Sequence, residues 1–162
     1  MAPIPHQRCV HPDDHVHDRD AFVREVMDVC DERGLRLTPL RERVLRLVAQ
    51  AELPVKAYDL MDQLRDDRGP AAPPTVYRVL DFLLENGFIH KLESINAFVA
   101  CHHPNAAQHS VPFLICNQCH SAIELEDASI VATLDAAARA LGFAPQAQTL
   151  EVHGLCARCA AE

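Results

Sequence analysis

Apolar residues recur at helical spacing through the first half of the chain and predict four helices. The predicted helices cover residues 19–33, residues from Pro39 onwards, residues 58–65 and residues 75–86. Thr38 is placed to cap the second helix, and Gly34 and Gly87 end the first and the fourth. Gly69-Pro70 and Pro73-Pro74 indicate a loop before the fourth helix. The predicted inward faces are Phe22, Val26, Val29 and Cys30; Leu40, Val44, Leu47 and Val48; Leu60, Met61 and Leu64; and Val76, Val79, Leu80 and Leu83.

After Gly87 the apolar period shortens to that of strands. Residues 88–93 and 97–101 predict a hairpin placed directly after the fourth helix, and short helices followed by a hairpin are typical of a winged helix. The rest of the chain predicts a small α/β unit with strands at 112–116, 121–126 and 148–152 and a helix at 129–141. The predicted fold class is therefore α+β, with a winged-helix domain followed by a small α/β domain.

These elements give the domain organisation. We expect a histidine-rich tail at 1–18, the winged helix at 19–101, a hinge loop at 102–110 and the second domain at 111–162. The chain has 162 residues and an apolar fraction of 49%, which is enough to form such cores. Its first residues are polar, and no stretch approaches the roughly 18 apolar residues of a membrane span. We therefore expect a cytoplasmic protein that contacts no membrane and keeps its cysteines reduced.

The charge is acidic overall but locally basic. The formal net charge is −8, which by itself disfavours a nucleic-acid partner. Residues 33–46, however, hold five arginines and one glutamate, a local charge of +4. Such a patch can contact phosphates even on an acidic chain, and Arg36 and Arg41 are candidate contacts within it.

The outer face of the fourth helix is the candidate DNA-reading surface. Tyr77 and Arg78 lie near its start, where a recognition helix meets base edges, and Asp81 and Glu85 lie farther along. Arginine can hold guanine with two hydrogen bonds. Tyr58, at the start of the preceding helix, is a second candidate contact. The alternatives are a solvated helix face and a winged helix that binds another protein.

Two CxxC pairs carry the strongest chemical signal. Cys116 and Cys119 form one pair, and Cys156 and Cys159 form the other. Two thiolates at this spacing reach one ion from a single turn, so the four sulfurs predict a tetrahedral structural zinc site. The long gap between the pairs means that the metal would connect distant parts of one small domain.

A second set of metal-binding residue types precedes and follows the first CxxC pair. Its members are His90, Cys101, His102, His103, His109 and Glu124. Imidazole, thiolate and carboxylate groups together make a plausible tetrahedral zinc site, and the thiolate favours zinc over iron or manganese. Such a site would join the hairpin to the second domain. The alternative is a set of surface histidines beside one buried cysteine.

At these motifs the chain resembles the ferric uptake regulator family of metal-sensing bacterial repressors, and within it the zinc uptake regulator branch. The resemblance runs from about residue 20 to the end. The segments that carry it are LRLTPLRERVLRLV (35–48), KAYDLMDQL (56–64), PPTVYRVLDFLLENGFIHKLES (73–94), Cys101-His102 with His109, ICNQC (115–119) and HGLCARC (153–159). The histidine-rich tail has no counterpart in the family pattern.

The resemblance implies a homodimer, formed by the second domain, that represses zinc-uptake genes by binding palindromic double-stranded operators. It implies two zinc ions per subunit: a structural ion on the four cysteines and a regulatory ion on His90, Cys101, His109 and Glu124. Tyr77 and Arg78 match the base-contacting pair of the family. Asp62 and Arg65 match a pair that joins two dimers on one operator, although they can also pair within their own helix.

Three alternatives remain open. Within the family, the signal could be iron, manganese, nickel or peroxide instead of zinc. A zinc-storage protein would explain the metal ligands but not the winged helix with Tyr77 and Arg78. An enzyme is disfavoured, because four thiolates leave no open position for water and the His-x-Glu of zinc deaminases is absent.

Overall fold

A computed structural model describes residues 19–65, 72–101, 103–105, 110–125, 127–146 and 149–161. These residues fall into two compact units, one within Asp18–His109 and one within Ser110–Glu162. Within the described ranges, no helix combines the length and the apolar character needed to cross a membrane. The predicted histidine-rich tail, 1–18, lies outside the described residues.

The first unit contains four helices. They are α1 (Arg19–Glu32), α2 (Pro39–Gln50), α3 (Ala57–Gln63) and α4 (Pro73–Glu85). The Thr38 side chain accepts a hydrogen bond from the Arg41 backbone N–H, which confirms the predicted cap of α2. Gly34 and Gly87 follow α1 and α4 with φ of +66° and +73°, a left-handed conformation that glycine adopts without steric cost.

The core of this unit confirms most predicted inward faces. The predicted residues of α1, α3 and α4 are all buried, including Cys30. In α2 the buried face is Val44, Leu45, Val48 and Ala49, so the prediction of Leu40 and Leu47 was wrong. Both of these leucines are only half-buried, because α2 packs against α1, α4 and the hairpin on a face rotated by one residue.

The hairpin after α4 is the wing. Strand β1 (Ile89–Leu92) pairs antiparallel with β2 (Ala97–Ala100), and Ile89 faces Ala100 in the register. Val55, between α2 and α3, pairs with Phe98 of β2 and adds a third short segment to this sheet. Sequence periodicity could not identify that bridge, because one residue carries no period. The unit is thus a winged helix, as predicted.

The second unit is a three-stranded sheet with two helices. Its strands are β3 (Phe113–Cys116), β4 (Ala122–Glu124) and β5 (Glu151–Gly154), and its helices are α5 (Ala128–Ala140) and α6 (Ala157–Ala160). The strand order is β4-β3-β5, with β3 antiparallel to β4 and parallel to β5. This confirms the predicted α+β class and the small α/β unit.

Several predicted boundaries were wrong by one to three residues, and one element was missed. Helix α4 begins at Pro73, two residues earlier than predicted, because proline is tolerated in the first turn, where its missing N–H has no helical partner. Strand β5 covers Glu151–Gly154 instead of 148–152, since its register is set by pairing with β3. The short helix α6 inside the second CxxC pair was not predicted.

Candidate metal centre and nucleic-acid interface

Parallel pairing of β3 with β5 brings the two CxxC segments together. Cys116 ends β3 opposite Gly154, the last residue of β5, and the Asn117 N–H continues the ladder by donating to the Gly154 carbonyl at 2.8 Å. Parallel strands end at the same edge of a sheet. The first CxxC segment begins with the last residue of β3, and the second begins just after β5, so both occupy the same corner.

All four sulfurs meet at that corner. The Sγ atoms of Cys116, Cys119, Cys156 and Cys159 lie within 4.8 Å of one another. The sulfurs of Cys119 and Cys156 are 3.7 Å apart, too far for a disulfide, whose S–S length is about 2.05 Å. Sulfurs around a tetrahedral zinc ion, with Zn–S distances of about 2.3 Å, lie about 3.8 Å apart. The spacing therefore fits zinc.

Hydrogen bonds to the sulfurs favour ionisation of the first pair. The pKa of Cys116 is lowered to about 6, chiefly by the backbone N–H of Cys119 and then by that of Cys156, which lies 3.4 Å from the Cys116 sulfur. The pKa of Cys119 is lowered mainly by the Ser121 hydroxyl, 3.1 Å from its sulfur. These donors favour the thiolate form that binds a metal.

The fourth cysteine shows why the cluster suits a cation. The pKa of Cys159 is raised to about 12, first by its hydrogen bond with the Cys156 sulfur and then by burial and the other sulfurs. Four thiolates at this distance repel one another, so complete ionisation needs a positive ion among them. Within the described ranges, no other group of three or more histidine, cysteine or acidic side chains is gathered for a metal.

Two supporting residues were not predicted from the sequence. Ser121 is buried and contacts Cys119. The His153 Nδ1 atom lies 3.2 Å from the Asn117 carboxamide oxygen, which joins the two CxxC segments outside the sulfur cluster. A polar residue within three positions of a CxxC pair is the signal that could have identified both.

The candidate regulatory ligands lie in both units. His90 is on β1 with its Nε2 atom buried, and Cys101, directly after β2, is fully buried. Glu124 ends β4 in the second unit and is also buried, with 6% of its surface exposed. Buried carboxylates need a compensating partner or a metal, so this environment is compatible with a ligand. His109 lies outside the described residues.

Helix α4 presents the predicted reading surface. Tyr77, Arg78, Asp81 and Glu85 are all exposed, on the side opposite the buried residues of the helix. Tyr77 and Arg78 lie in the first two turns, where a recognition helix contacts bases. Tyr58, on α3, is 75% exposed and has no role in the core.

Most arginines of the basic segment, residues 33–46, make contacts within the protein. The Arg41 guanidinium lies over the Phe82 ring, 3.5 Å from its centroid, and donates to the Arg36 carbonyl at 2.5 Å. Arg46 pairs with Glu42 and Asp20. Arg33 and Arg43 also donate to backbone carbonyls, at Asn86 and Pro104 and at Gln63. Arg36 is exposed. The sequence indicated the charge of this patch but not these internal contacts.

Comparison with known proteins identifies the family to which this sequence is similar. A sequence model of the ferric uptake regulator family matches residues 32–153. The zinc uptake regulation protein of Escherichia coli (strain K12) is 44% identical over 131 residues, which cover 81% of this chain and 77% of that protein.

Solved structures agree with the sequence comparison. The crystal structure of holo XcZur has a TM-score of 0.82 at 70% identity and covers 88% of this chain and 99% of its own. A zinc uptake regulator complexed with zinc and DNA has a TM-score of 0.84 at 40% identity, covering 89% of this chain and 96% of its own. Together with the double CxxC cluster and the winged helix, these similarities mean that the chain belongs to the ferric uptake regulator family, in its zinc uptake regulator branch.

Proposed function

We propose that this protein is a cytoplasmic, zinc-responsive transcriptional regulator that binds palindromic operator DNA as a homodimer and mainly represses zinc-uptake genes. The observation that carries the proposal is the likeness, at 40% identity over 89% of the chain, to a zinc uptake regulator complexed with zinc and DNA. The winged helix supplies the DNA-binding unit, and the cysteine cluster supplies a metal site.

We assign the four cysteines to structural zinc. The sulfur spacing and the donors around Cys116 and Cys119 support this role. A bound ion would join the end of β3 to the loop after β5, and four protein ligands would leave no open position for catalysis. A structural role therefore fits this site better than a catalytic one.

We assign the regulatory ion to His90, Cys101, His109 and Glu124, which gives two zinc ions per subunit. The burial of Cys101 and Glu124 supports the assignment. An ion held by these residues would join the two units, and it would favour a single geometry for the two winged helices of a dimer.

Exposed apolar residues support the homodimer. None of the residues of α5 is buried, and β5 lies at one edge of the sheet formed by the described residues. Large apolar side chains are exposed on and around these elements: Leu134, Leu141, Phe143, Val152 and Leu155. A second copy of the unit would cover such a surface.

The DNA contacts follow from α3 and α4. Tyr77 and Arg78 would read bases, while Tyr58, Arg36 and Arg41 would contact the backbone near them. Asp62 and Arg65 are paired within their own chain at 3.3 Å and are both exposed, so they remain accessible for pairing between two dimers on one operator.

Metal specificity is the test of this function. We would select an operator from random duplexes with the zinc-loaded protein, then measure its affinity at buffered free Zn²⁺, Fe²⁺ and Mn²⁺. A zinc sensor binds when zinc is present and not at cellular levels of iron or manganese. Activation by another metal would identify a different sensor of the same family, and binding that ignores every metal would exclude a sensor.

A further inference from the structure

One arginine of the winged-helix unit holds the chain segment that leads to the second unit. Arg33 follows α1, and its Nη1 atom donates to the Asn86 carbonyl at 3.2 Å. Its Nη2 atom donates to the Pro104 carbonyl at 3.4 Å. Asn86 is the C-terminal cap of α4. We call the described residues 101 and 103–105 the linker. A single guanidinium thus connects this linker to the end of α4, the candidate recognition helix.

A side chain within α1 holds the next linker residue. The Asn105 carboxamide nitrogen donates to the Glu25 carboxylate. Pro104 is buried, although proline is mostly exposed in proteins, and the Cys101 N–H donates to the Phe88 carbonyl at 3.0 Å. The linker is therefore attached to the winged helix at three points between residues 101 and 105.

These contacts are not required by the core of the unit. Glu25 and Arg33 lie outside the apolar stripe of α1, and Arg33 is exposed. A planar guanidinium can donate to two carbonyls at fixed positions, which the single ammonium of lysine cannot reproduce. The side chains of Glu25 and Arg33 are thus explained by their hydrogen bonds to the linker and not by packing of α1 into the core.

We propose that Glu25 and Arg33 are positioning residues that couple the linker to α4, and that zinc-dependent DNA binding requires this coupling. The inference rests on the proposed function. With Pro104 and Asn105 held, the chain leaves the winged helix from a fixed point close to the end of α4. A restraint from zinc on the linker side would then reach α4 through Arg33 instead of being absorbed by loose chain.

The test uses variants whose electrostatic and positioning effects have opposite signs. Glu25→Ala and Asn105→Ala each remove the Glu25–Asn105 contact, whereas Glu25→Gln keeps an oxygen that can accept the hydrogen bond. Asp20→Ala is the matched control, because it removes one carboxylate from the same helix, where that carboxylate pairs with Arg46 and not with the linker. Loss of a negative charge alone strengthens binding to DNA phosphates.

The measurements are affinity for the selected operator with and without saturating zinc, and zinc affinity with and without that operator. We expect Asn105→Ala to weaken zinc-saturated operator binding about 3- to 10-fold and to leave zinc-free binding unchanged. Glu25→Ala should reduce the enhancement of operator binding by zinc by a similar factor, although loss of its charge slightly strengthens zinc-free binding. By reciprocity, the increase in zinc affinity that operator DNA causes should be smaller in these variants than in the wild type, by the same factor. Glu25→Gln and Asp20→Ala should show the wild-type coupling.

Measurements on the wild-type protein distinguish failure of the positioning role from failure of the proposed function. If the wild type shows zinc-dependent operator binding and Glu25→Ala and Asn105→Ala behave like Asp20→Ala, the positioning role is overturned and the proposed function stands. If the wild type shows no zinc dependence, the proposed function fails and the inference fails with it. Arg33→Lys, which keeps the charge, provides an independent variant and should also reduce the coupling. Circular dichroism and zinc content verify that each variant is folded.

Discussion

The Arg41 guanidinium lies over the Phe82 ring, 3.5 Å from the ring centroid, and so joins α2 to α4. Its hydrogen bond to the Arg36 carbonyl also fixes the segment before α2. The charge of the basic segment predicts a DNA contact for Arg41. The contact with Phe82 gives Arg41 a second way to affect operator binding, because a residue that holds α4 in place can do so without touching a phosphate.

Substitution of either partner distinguishes the two roles of Arg41. If Arg41 positions α4, both Arg41→Lys and Phe82→Leu should weaken operator binding by the value of the cation–π contact, about 0.5–1 kcal/mol or roughly 2- to 5-fold. A purely phosphate-binding Arg41 would tolerate both changes. Arg43→Lys is the control, since Arg43 donates to the Gln63 carbonyl at 3.3 Å with no aromatic ring involved.

Arg78 should contribute to operator binding and not to metal binding. Arg78→Ala removes an exposed guanidinium from the first two turns of α4, and we expect a loss of about 1–3 kcal/mol in operator affinity. Its zinc content should equal that of the wild type. Arg139→Ala removes the same charge from α5 and should bind the operator normally. Zinc loss in Arg78→Ala would show that its role has been misassigned.

The four-cysteine cluster should be necessary for the second unit. Cys156→Ser removes a sulfur that lies 3.7 Å from Cys119, so we expect loss of the structural zinc and of the dimer. Metal analysis and sedimentation would measure these losses. Cys30→Ala is the control, because Cys30 is buried in the winged helix; it should lower stability by about 1 kcal/mol and keep the zinc. A zinc-loaded Cys156→Ser dimer would exclude this site.

Alkaline pH should destabilise the winged helix through Cys30. Burial is the main cause that raises the pKa of this thiol above its ordinary value of 9.0. The folded state thus holds the thiol proton more tightly than the unfolded state does. The resulting stability is complete below pH 9 and is lost as pH rises through the folded-state pKa. Denaturant unfolding from pH 8 to 10 should show a smaller decline for Cys30→Ala than for the wild type.

The sequence was sufficient to predict the helices of the winged helix, because their buried stripes are strictly periodic. It was insufficient for the buried face of α2, where Leu40, Leu47 and Leu45 compete for one face and packing against α1, α4 and the wing selects Leu45. Strand β5 was misplaced for a similar reason, since its register depends on its partner β3.

The functional sites could likewise be predicted from the sequence only in part. The CxxC spacing predicted which cysteines would gather, because the motif itself fixes the geometry of each pair. The contact of Ser121 with Cys119 is local, because the two residues are neighbours in the chain, and the polar residue beside the motif was its signal. The contact of Phe82 with Arg41 depends on chain segments that meet only in the folded protein. The linker contacts of Glu25 and Arg33, which span 80 and 71 residues, have no local signal either.

We propose that a regulatory zinc ion switches on DNA binding. The most direct test of this proposal is operator affinity measured across buffered zinc while zinc per subunit is counted, with wild type and Cys101→Ser in parallel. Wild-type affinity should rise as zinc increases from one to two ions per subunit, and Cys101→Ser should stay a dimer with one zinc and weak binding. Full operator affinity at one zinc per subunit, or an unchanged response in Cys101→Ser, would contradict it.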